Sequence, residues 1–203
     1  LKEVRVVSDD GAEIAGAVND LRGRFDHVFT SGGIGPTHDD ITADNVAAAF
    51  GVGIGPREDA IAVLASNYPN GRDDINEVRM RMTRIPDGAV LIDNAISKAP
   101  GFSLENVHVM AGVPKIFEVM LDSLLPSIAG GDPVLSETVR LQLPEGEVAA
   151  ALGEIAQAYG ALSLGSYPFS NAQGYGTNIV IRGTDAALVE EAAGRVRAAF
   201  EVV

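Results

Sequence analysis

The fold of this chain is decided by the stretch Thr30-Ser31-Gly32-Gly33-Ile34-Gly35-Pro36-Thr37-His38-Asp39-Asp40-Ile41-Thr42-Ala43-Asp44. The apolar pair Val28-Phe29 precedes this stretch, and a helix-like run from Asn45 to Phe50 follows it. Glycines let the backbone turn tightly and approach a ligand closely. In an open α/β sheet, a strand, a glycine turn and a helix in that order present backbone N–H groups to an anion. The stretch therefore predicts a phosphate site at the end of a strand.

Polar side chains of the same stretch extend the prediction to a metal ion. Ser31 and Thr37 carry hydroxyl groups that can donate to phosphate. Asp39 and Asp40 would repel a phosphate unless a divalent cation, typically Mg²⁺, lies between them. The alternative is a tight surface turn with a solvated acidic rim, because short glycine motifs often occur without a function. The strand before the turn and the helix after it favour the site.

The amino-acid sequence of this stretch also resembles the motif of a known family. From Ser31 to Asp44 it is similar to the signature of the molybdopterin-binding domain superfamily. Within that superfamily, Gly-Pro-Thr-His-Asp-Asp resembles the competence-damage-inducible protein A branch, which is related to the N-terminal domain of FAD synthase. The resemblance implies an α/β pocket domain that binds a nucleotide or pterin phosphate.

Length and composition limit the possible classes of protein. The 203 residues suffice for one large domain, or for one medium and one small domain. A formal charge of −13 argues against binding to nucleic acid or to an anionic membrane. The absence of cysteine excludes disulfides and thiolate metal sites, and it fits a cytoplasmic location. No apolar run approaches the roughly 20 residues of a membrane span, so we expect no membrane partner.

The N-terminal segment departs from the resemblance. Val4-Arg5-Val6-Val7 predicts a strand, and the residues after it show helical spacing. Members of the family begin earlier, with a strand, a Gly-Asp-Glu turn and a helix, which nothing here matches. We expect that the sequence omits this segment, because loss of a central strand would leave unpaired edges. By resemblance Asp9 faces the glycine-turn pocket; capping of the next helix is the alternative, and one carboxylate could do both.

Two later loops resemble the rim of the family's pocket. The loop Ser97-Lys98-Ala99-Pro100-Gly101-Phe102 follows a predicted strand, Val90–Ile92, and Phe102 is the best candidate for stacking on a base. Many relatives have Gly-Thr where this chain has Ser97-Lys98, so Lys98 adds a cation that a phosphate could use. A second glycine turn with Gly112 and Pro114 follows the predicted strand Val107–Met110. We expect both glycine turns to share one pocket.

Two further features have competing interpretations. Arg79, Arg81 and Arg84 crowd one predicted helix of an acidic chain. They could approach a substrate phosphate or ribose, but a solvated helix face with internal ion pairs is the favoured interpretation. His108 alternates with apolar residues in its predicted strand and has no cluster of partners in the sequence, which favours a structural role.

A break in composition at residues 129–133, Ala-Gly-Gly-Asp-Pro, predicts a domain boundary. After it the pattern is strand, helix, strand, strand and helix, which is typical of antiparallel strands with helices on one face. We therefore expect a three-layer αβα domain with a mostly parallel sheet over residues 1–129, then a small α+β domain over residues 134–203. The resemblance to the competence-damage-inducible branch implies that this second domain is KH-like. The second domain lacks a Gly-x-x-Gly loop with basic flanks, so RNA binding is not expected.

The resemblance implies metal-dependent hydrolysis of a nucleotide pyrophosphate such as ADP-ribose or FAD. The alternatives are a role in molybdenum cofactor biosynthesis, by adenylyl transfer or molybdate insertion with molybdopterin as ligand, and a non-catalytic binding protein. Asp40, Asp9 and His38 are the expected catalytic residues, and Asp40, Asp39 and Asp9 the expected ligands of Mg²⁺, Co²⁺ or Mn²⁺. The expected substrate-binding residues are Ser31, Gly32, Gly33, Gly35, Thr37, Ser97, Lys98, Pro100, Gly101, Gly112 and Pro114. The family forms oligomers, so a homodimer is expected.

Overall fold

A computed structural model describes residues 1–128 and 130–200. Residue 129 of the predicted boundary and residues 201–203 of the predicted second domain lie outside the described residues. The chain divides into two compact units, Leu1–Ala129 and Gly130–Val203. Within the part that the structure describes, no helix is both long enough and apolar enough to cross a membrane.

The first unit alternates helices with short strands. Its helices are α1 (Gly11–Arg22), α2 (Thr42–Phe50), α3 (Glu58–Ala65), α4 (Glu77–Met80) and α5 (Pro114–Leu124). Its strands are β1 (Val28–Ser31), β2 (Ile54–Pro56), β3 (Arg84–Pro86), β4 (Val90–Ile92), β5 (Gly101–Leu104) and β6 (Val107–Met110). Short 3₁₀ turns occupy Gly71–Asp74, Arg81–Thr83 and Leu125–Ser127.

The main sheet of this unit has the strand order β1-β6-β5-β4. β1 and β6 are parallel, with Val28 opposite Val107, whereas β6 with β5 and β5 with β4 are antiparallel. The sheet is thus mixed rather than mostly parallel. Only Glu105 and Asn106 connect β5 to β6; such a link permits a hairpin, whereas parallel neighbours need a dozen or more connecting residues. β2 and β3 form a separate antiparallel pair.

Helices cover both faces of the main sheet. Val107 and Val109 of β6 pack in one core cluster with Val18 of α1 and Val46 of α2. Met110, the next residue of β6, packs in another cluster with Met120 and Leu124 of α5. Because successive side chains of a strand point to opposite faces, these clusters lie on opposite sides of the sheet. The α/β class and the three-layer arrangement are therefore confirmed.

The predicted strand at Val4–Val7 is wrong. These residues are not in a strand, and Val6 is 94% exposed. A groove of about 490 Å³ is lined by residues 4–9 on one side and by β1 with Gly32 and Gly33 on the other. An alternating sequence forms a strand only where a neighbour lies about 4.8 Å away to accept its backbone hydrogen bonds. β1 is consequently an edge strand.

The second unit is an α+β structure, as predicted. Its elements are β7 (Leu135–Leu141), α6 (Glu145–Ala158), β8 (Ser163–Asn171), β9 (Gly174–Gly183) and α7 (Ala186–Ala199). The sheet order is β7-β9-β8, and both pairings are antiparallel. Val139 and Ile179 from the sheet join Val148 of α6 and Val196 of α7 in one core. Both helices therefore cover the same face of this sheet.

Candidate functional site

The two glycine turns of the first unit lie against each other. The N–H of Gly32 donates to the carbonyl of Met110, with an N–O distance of 2.9 Å. A Cβ atom on Gly112 would lie 3.1 Å from Gly32 Cα, so the two backbones approach closely at this point. Gly32 and Gly33 have φ angles of +104° and +70°, a region that favours glycine. The parallel pairing of β1 and β6 brings both turns to the same edge of the sheet.

Asp40 folds back over the loop that precedes it. Its Oδ2 accepts a hydrogen bond from the backbone N–H of Thr37 (N–O 2.8 Å) and another from the Thr37 hydroxyl. The N–H of Asp40 donates to the carbonyl of Thr37 (N–O 3.3 Å), which closes the turn. A Cβ atom on Gly35 would lie only 2.6 Å from Asp40 Oδ2. Glycine at position 35 thus leaves the space that the carboxylate occupies.

The surroundings of Asp40 keep its carboxyl group ionised. Partial burial raises its pKa, but hydrogen bonds from the Thr37 hydroxyl and from the backbone of Thr37 and Gly35 outweigh burial and lower the pKa below its ordinary value. A carboxylate has about four acceptor positions. Both hydrogen bonds from Thr37 fall on Oδ2, so Oδ1 of Asp40 remains available for a cation.

A small cleft adjoins Asp40. Its volume of about 20 Å³ gives room for one water-sized group. Arg84 of β3 makes a bidentate ion pair with Asp44, in the first turn of α2. Arg81 reaches the Asp40 carbonyl with Nη2 at 3.4 Å, and its Nε is buried without a partner among the described residues. The lining residues are Ile34, Gly35, Asp40, Ala43, Asp44, Arg81, Met82, Arg84, Ile85, Pro100 and Phe102.

The other predicted acid–base and metal residues do not gather at Asp40. Asp9 lines the groove beside β1, together with Ser31, Gly32 and Gly33. The side chain of His38 is 99% exposed, and its Nδ1 lies 3.9 Å from Asp39 Oδ1. Across residues 1–128 and 130–200, no three His, Asp or Glu side chains are placed to hold a metal ion together. The structure does not bring the predicted ligand set Asp9, Asp39 and Asp40 together.

The predicted rim loop is held by Asn94, a buried residue that the sequence did not single out for this role. Asn94 Nδ2 donates to Ser97 Oγ (2.7 Å) and to the Ala99 carbonyl (2.9 Å), and its Oδ1 accepts from the N–H of Ser97 (3.2 Å). Lys98 has a φ of +56°, and its Nζ lies 3.9 Å from Asp93. Within this loop, Pro100 lines the cleft at Asp40.

Three residues of the predicted rim have clear packing roles. Phe102 is 1% exposed in the core, so it cannot stack on a bound base as predicted. A Cβ atom on Gly101 would lie 2.3 Å from the Val109 carbonyl oxygen, so glycine is needed for the contact with β6. Pro114 is the first residue of α5, where proline suits a helix start.

These features define an α/β domain with paired glycine turns, and sequence families match both units. Residues 1–130 match the family described as "Probable molybdopterin binding domain", and residues 133–202 match "FAD synthase, middle domain". The first match covers more than half of the chain. The chain belongs to the molybdopterin-binding domain superfamily, in its competence-damage-inducible protein A (CinA) branch.

Individual relatives agree with this membership. A protein of Pyrobaculum arsenaticum is 33% identical over 179 residues, which cover 83% of this chain and 67% of the relative. A CinA-like protein of Syntrophotalea carbinolica is 29% identical over 147 residues, covering 68% of this chain and 36% of the relative. The crystal structure of a protein from Thermoplasma acidophilum, titled CinA with unknown function, superposes with a TM-score of 0.56 and 34% identity. That comparison covers 63% of this chain and 78% of the other.

Proposed function

We propose that the first unit catalyses the metal-dependent hydrolysis of a nucleotide pyrophosphate such as ADP-ribose or FAD. The observation that carries this proposal is the ionised Asp40 carboxylate, held by Thr37 in the loop that follows the turn at Gly32 and Gly33. Backbone N–H groups at such turns bind phosphate. A carboxylate in the same loop needs a cation before a phosphate can approach it.

The donor atoms suit a magnesium ion that is shared with the substrate. Magnesium is usually held by one or two carboxylates and the phosphates of the substrate, rather than by a cage of protein ligands. Asp40 would supply that carboxylate; Co²⁺ or Mn²⁺ could replace Mg²⁺. The ion, when bound, neutralises negative charge on the phosphate oxygens.

Other residues of the chain would bind the phosphate and orient the attacking water. The N–H groups of the turn at Gly32 and Gly33 and the hydroxyl of Ser31 would hold a phosphate. Asp9 lines the same groove as these groups, and it would orient the attacking water as a general base. His38 is solvent-exposed, so it would act only on a group at the mouth of the site.

The matched families favour two different substrates. Residues 133–202 match a domain of FAD synthase, which supports FAD as the pyrophosphate. Residues 1–130 match a family described as molybdopterin-binding, which supports the second candidate, a pterin phosphate used in molybdenum cofactor biosynthesis. Both substrates carry a phosphate that the glycine turns would bind, so binding alone does not distinguish the two candidate functions. A measurement of which compound the protein turns over does.

The test is a screen of ADP-ribose, FAD, NAD and molybdopterin-AMP with Mg²⁺, Mn²⁺ and Co²⁺. Asp40→Asn should lower turnover of the best substrate by about a hundredfold or more, because each tenfold is about 1.4 kcal/mol and metal-supported charge stabilisation contributes several kcal/mol. The control is Asp39→Asn, which changes an exposed residue next to Asp40 in the sequence and should retain activity. Near-normal hydrolysis by Asp40→Asn refutes the role of Asp40. If the unmodified protein hydrolyses none of these compounds, a binding-only function replaces the enzyme.

A further inference from the structure

We propose that Arg81 binds a phosphoryl oxygen in the cleft beside Asp40 and so selects phosphate-bearing ligands. The proposal rests on the proposed function only in taking that ligand to be the phosphate of its substrate. The cleft has room for about one water-sized group. A single oxygen of a phosphate can enter it, whereas a sugar or a base cannot.

Arg81 differs from the other arginines of the described chain because it combines a buried Nε atom with the lack of a carboxylate or aromatic partner. Seven arginines lie within 4 Å of a carboxylate: Arg5, Arg22, Arg24, Arg57, Arg72, Arg84 and Arg197. Three others stack on aromatic rings: Arg79, Arg140 and Arg195. Arg182 has neither kind of partner but is exposed to water. Arg81 also has neither, and its Nε is buried among residues 1–128.

A buried guanidinium N–H without an acceptor is unfavourable, and native structures rarely leave one unpaired. In a chain with a formal charge of −13, an arginine has many carboxylates available. Nevertheless, no carboxylate among residues 1–128 and 130–200 lies within ion-pair distance of Arg81. An anion that enters the cleft would balance this charge, and arginine suits phosphate because its N–H groups match the geometry of phosphate oxygens.

Asp40 and Arg81 share the cleft without neutralising each other. Arg81 Nη2 contacts the carbonyl of Asp40 at 3.4 Å, and no oxygen of the Asp40 carboxylate lies within ion-pair distance of the guanidinium. A phosphate could therefore place one oxygen at Arg81 and direct another towards a cation at Asp40. Both charged side chains would then have a partner of opposite sign.

The neighbouring arginines are not available for this role. Arg84 is already held by both oxygens of Asp44. Arg79 lies over the ring of Tyr68, 4.4 Å from its centroid, and donates to the Asp74 carbonyl at 2.6 Å. Arg79 does not line the cleft, but it is only two positions from Arg81. Arg79→Gln is therefore a control that removes the same charge nearby.

The test is an NMR titration of the full chain with inorganic phosphate in the presence of Mg²⁺. The Nε–H signal of Arg81 should be observable because the buried atom is protected from water, and it should shift and saturate as phosphate is added. Arg81→Gln should weaken phosphate binding at least tenfold, measured on the amide signals of Ile34 and Gly35, which line the cleft. Arg81→Lys keeps the charge but lacks Nε, and it should retain part of the affinity. Melting temperatures would show that each variant is folded.

Two results would overturn the proposal. One is an Arg81 Nε–H signal that does not move with phosphate, a measurement that needs no variant. The other is an equal loss of affinity in Arg79→Gln and Arg81→Gln, which would show a general effect of positive charge. Inorganic phosphate is not turned over, so this experiment is independent of the hydrolysis assay. A protein that binds phosphate at Arg81 but hydrolyses no pyrophosphate would refute the proposed function and leave this inference standing.

Discussion

Asp40 accepts two hydrogen bonds from Thr37 on a single carboxylate oxygen, one from the backbone N–H (N–O 2.8 Å) and one from the hydroxyl. The acid at the centre of the candidate site is thus held by the loop to which it belongs, rather than by a residue from another element. Both its direction and its ionisation depend on Thr37.

Thr37→Val should raise the pKa of Asp40. The hydroxyl of Thr37 is the largest of the contributions that lower this pKa, and valine removes it at nearly the same volume. An Asp whose folded-state pKa is lowered adds stability above its unfolded value of about 3.9, and that stability is lost as the pH falls through the folded value. The variant should therefore lose less stability on acidification. The carboxyl ¹³C signal of Asp40, followed against pH, measures the shift directly.

Thr37→Ser is the matched control for this experiment, because serine keeps the hydroxyl and removes only a methyl group. Its Asp40 titration should follow that of the unmodified protein. If the serine and valine variants titrate alike, the hydroxyl does not set the pKa of Asp40.

Gly35→Ala should move the Asp40 carboxylate. The added Cβ would lie 2.6 Å from Asp40 Oδ2, closer than van der Waals contact allows. Overpacking of this kind typically costs about 1–3 kcal/mol, which denaturant unfolding can measure. The control is Gly16→Ala in α1, where nothing lies within 4 Å of the new atom. Alanine there should stabilise the protein by about 0.5–1 kcal/mol. A Gly35→Ala protein as stable as the unmodified one would mean that Asp40 moves freely.

Local sequence patterns were sufficient for the glycine turn and the elements on either side of it. β1 ends at Ser31 and α2 begins at Thr42, close to the predicted limits. These boundaries depend on residues that are near one another in the chain, so turn and helix signals could predict them. The mixed sheet was not predicted. The antiparallel direction of β5 and β6 follows from the two-residue link between them, and the prediction used only the apolar strands and not the lengths of their connections.

The contents of the cleft depend on contacts between distant parts of the chain. Arg81 meets the Asp40 carbonyl across a separation of 41 residues, and a helical charge pattern could not distinguish it from Arg79. The pair of His27 Nδ1 and His108 Nε2, 3.2 Å apart, was missed for the same reason. It forms because β1 and β6 are parallel in one particular register, and the sequence does not contain that register in any local pattern.

The buried His108 should make stability depend on pH below neutrality. It is 5% exposed, and burial together with the adjacent His27 lowers its pKa. Its Nδ1 also contacts Ser103 Oγ at 2.8 Å. A lowered folded-state pKa means that the unfolded chain takes up the proton first, near pH 6.5. Stability is then complete above that pH and is lost as the pH falls further.

Urea unfolding between pH 7.5 and 5.5 measures this effect, and the free energy of unfolding should fall over that range. His108→Gln should flatten the slope because it removes the titrating ring. His38→Gln is the control, since the side chain of His38 is 99% exposed and its removal disturbs no packing. A slope that His108→Gln leaves unchanged would assign the effect to another group.

The amides of Val4 to Val7 should exchange with solvent far faster than those of the main sheet. In the structure this segment makes no strand pairing, and a groove separates it from β1. The amides of β6 are the internal comparison, because this strand is paired on both sides, with β1 and with β5. Hydrogen exchange with mass spectrometry should show residues 4–7 fully exchanged in the first seconds. Val107 to Val109 should stay protected for much longer, since their exchange requires the core to open.

The opposite result would contradict the open groove between residues 4–9 and β1. Protection of Val4 to Val7 comparable to that of β6 can arise only if these amides find acceptors, because exposure to water alone gives no protection. Within residues 1–128, the free edge of β1 lies across the groove and offers such acceptors, so the groove would have to close against that edge. The alternating pattern of Val4, Val6 and Val7 would then be that of a strand after all, and Asp9 would move with it towards the glycine turn.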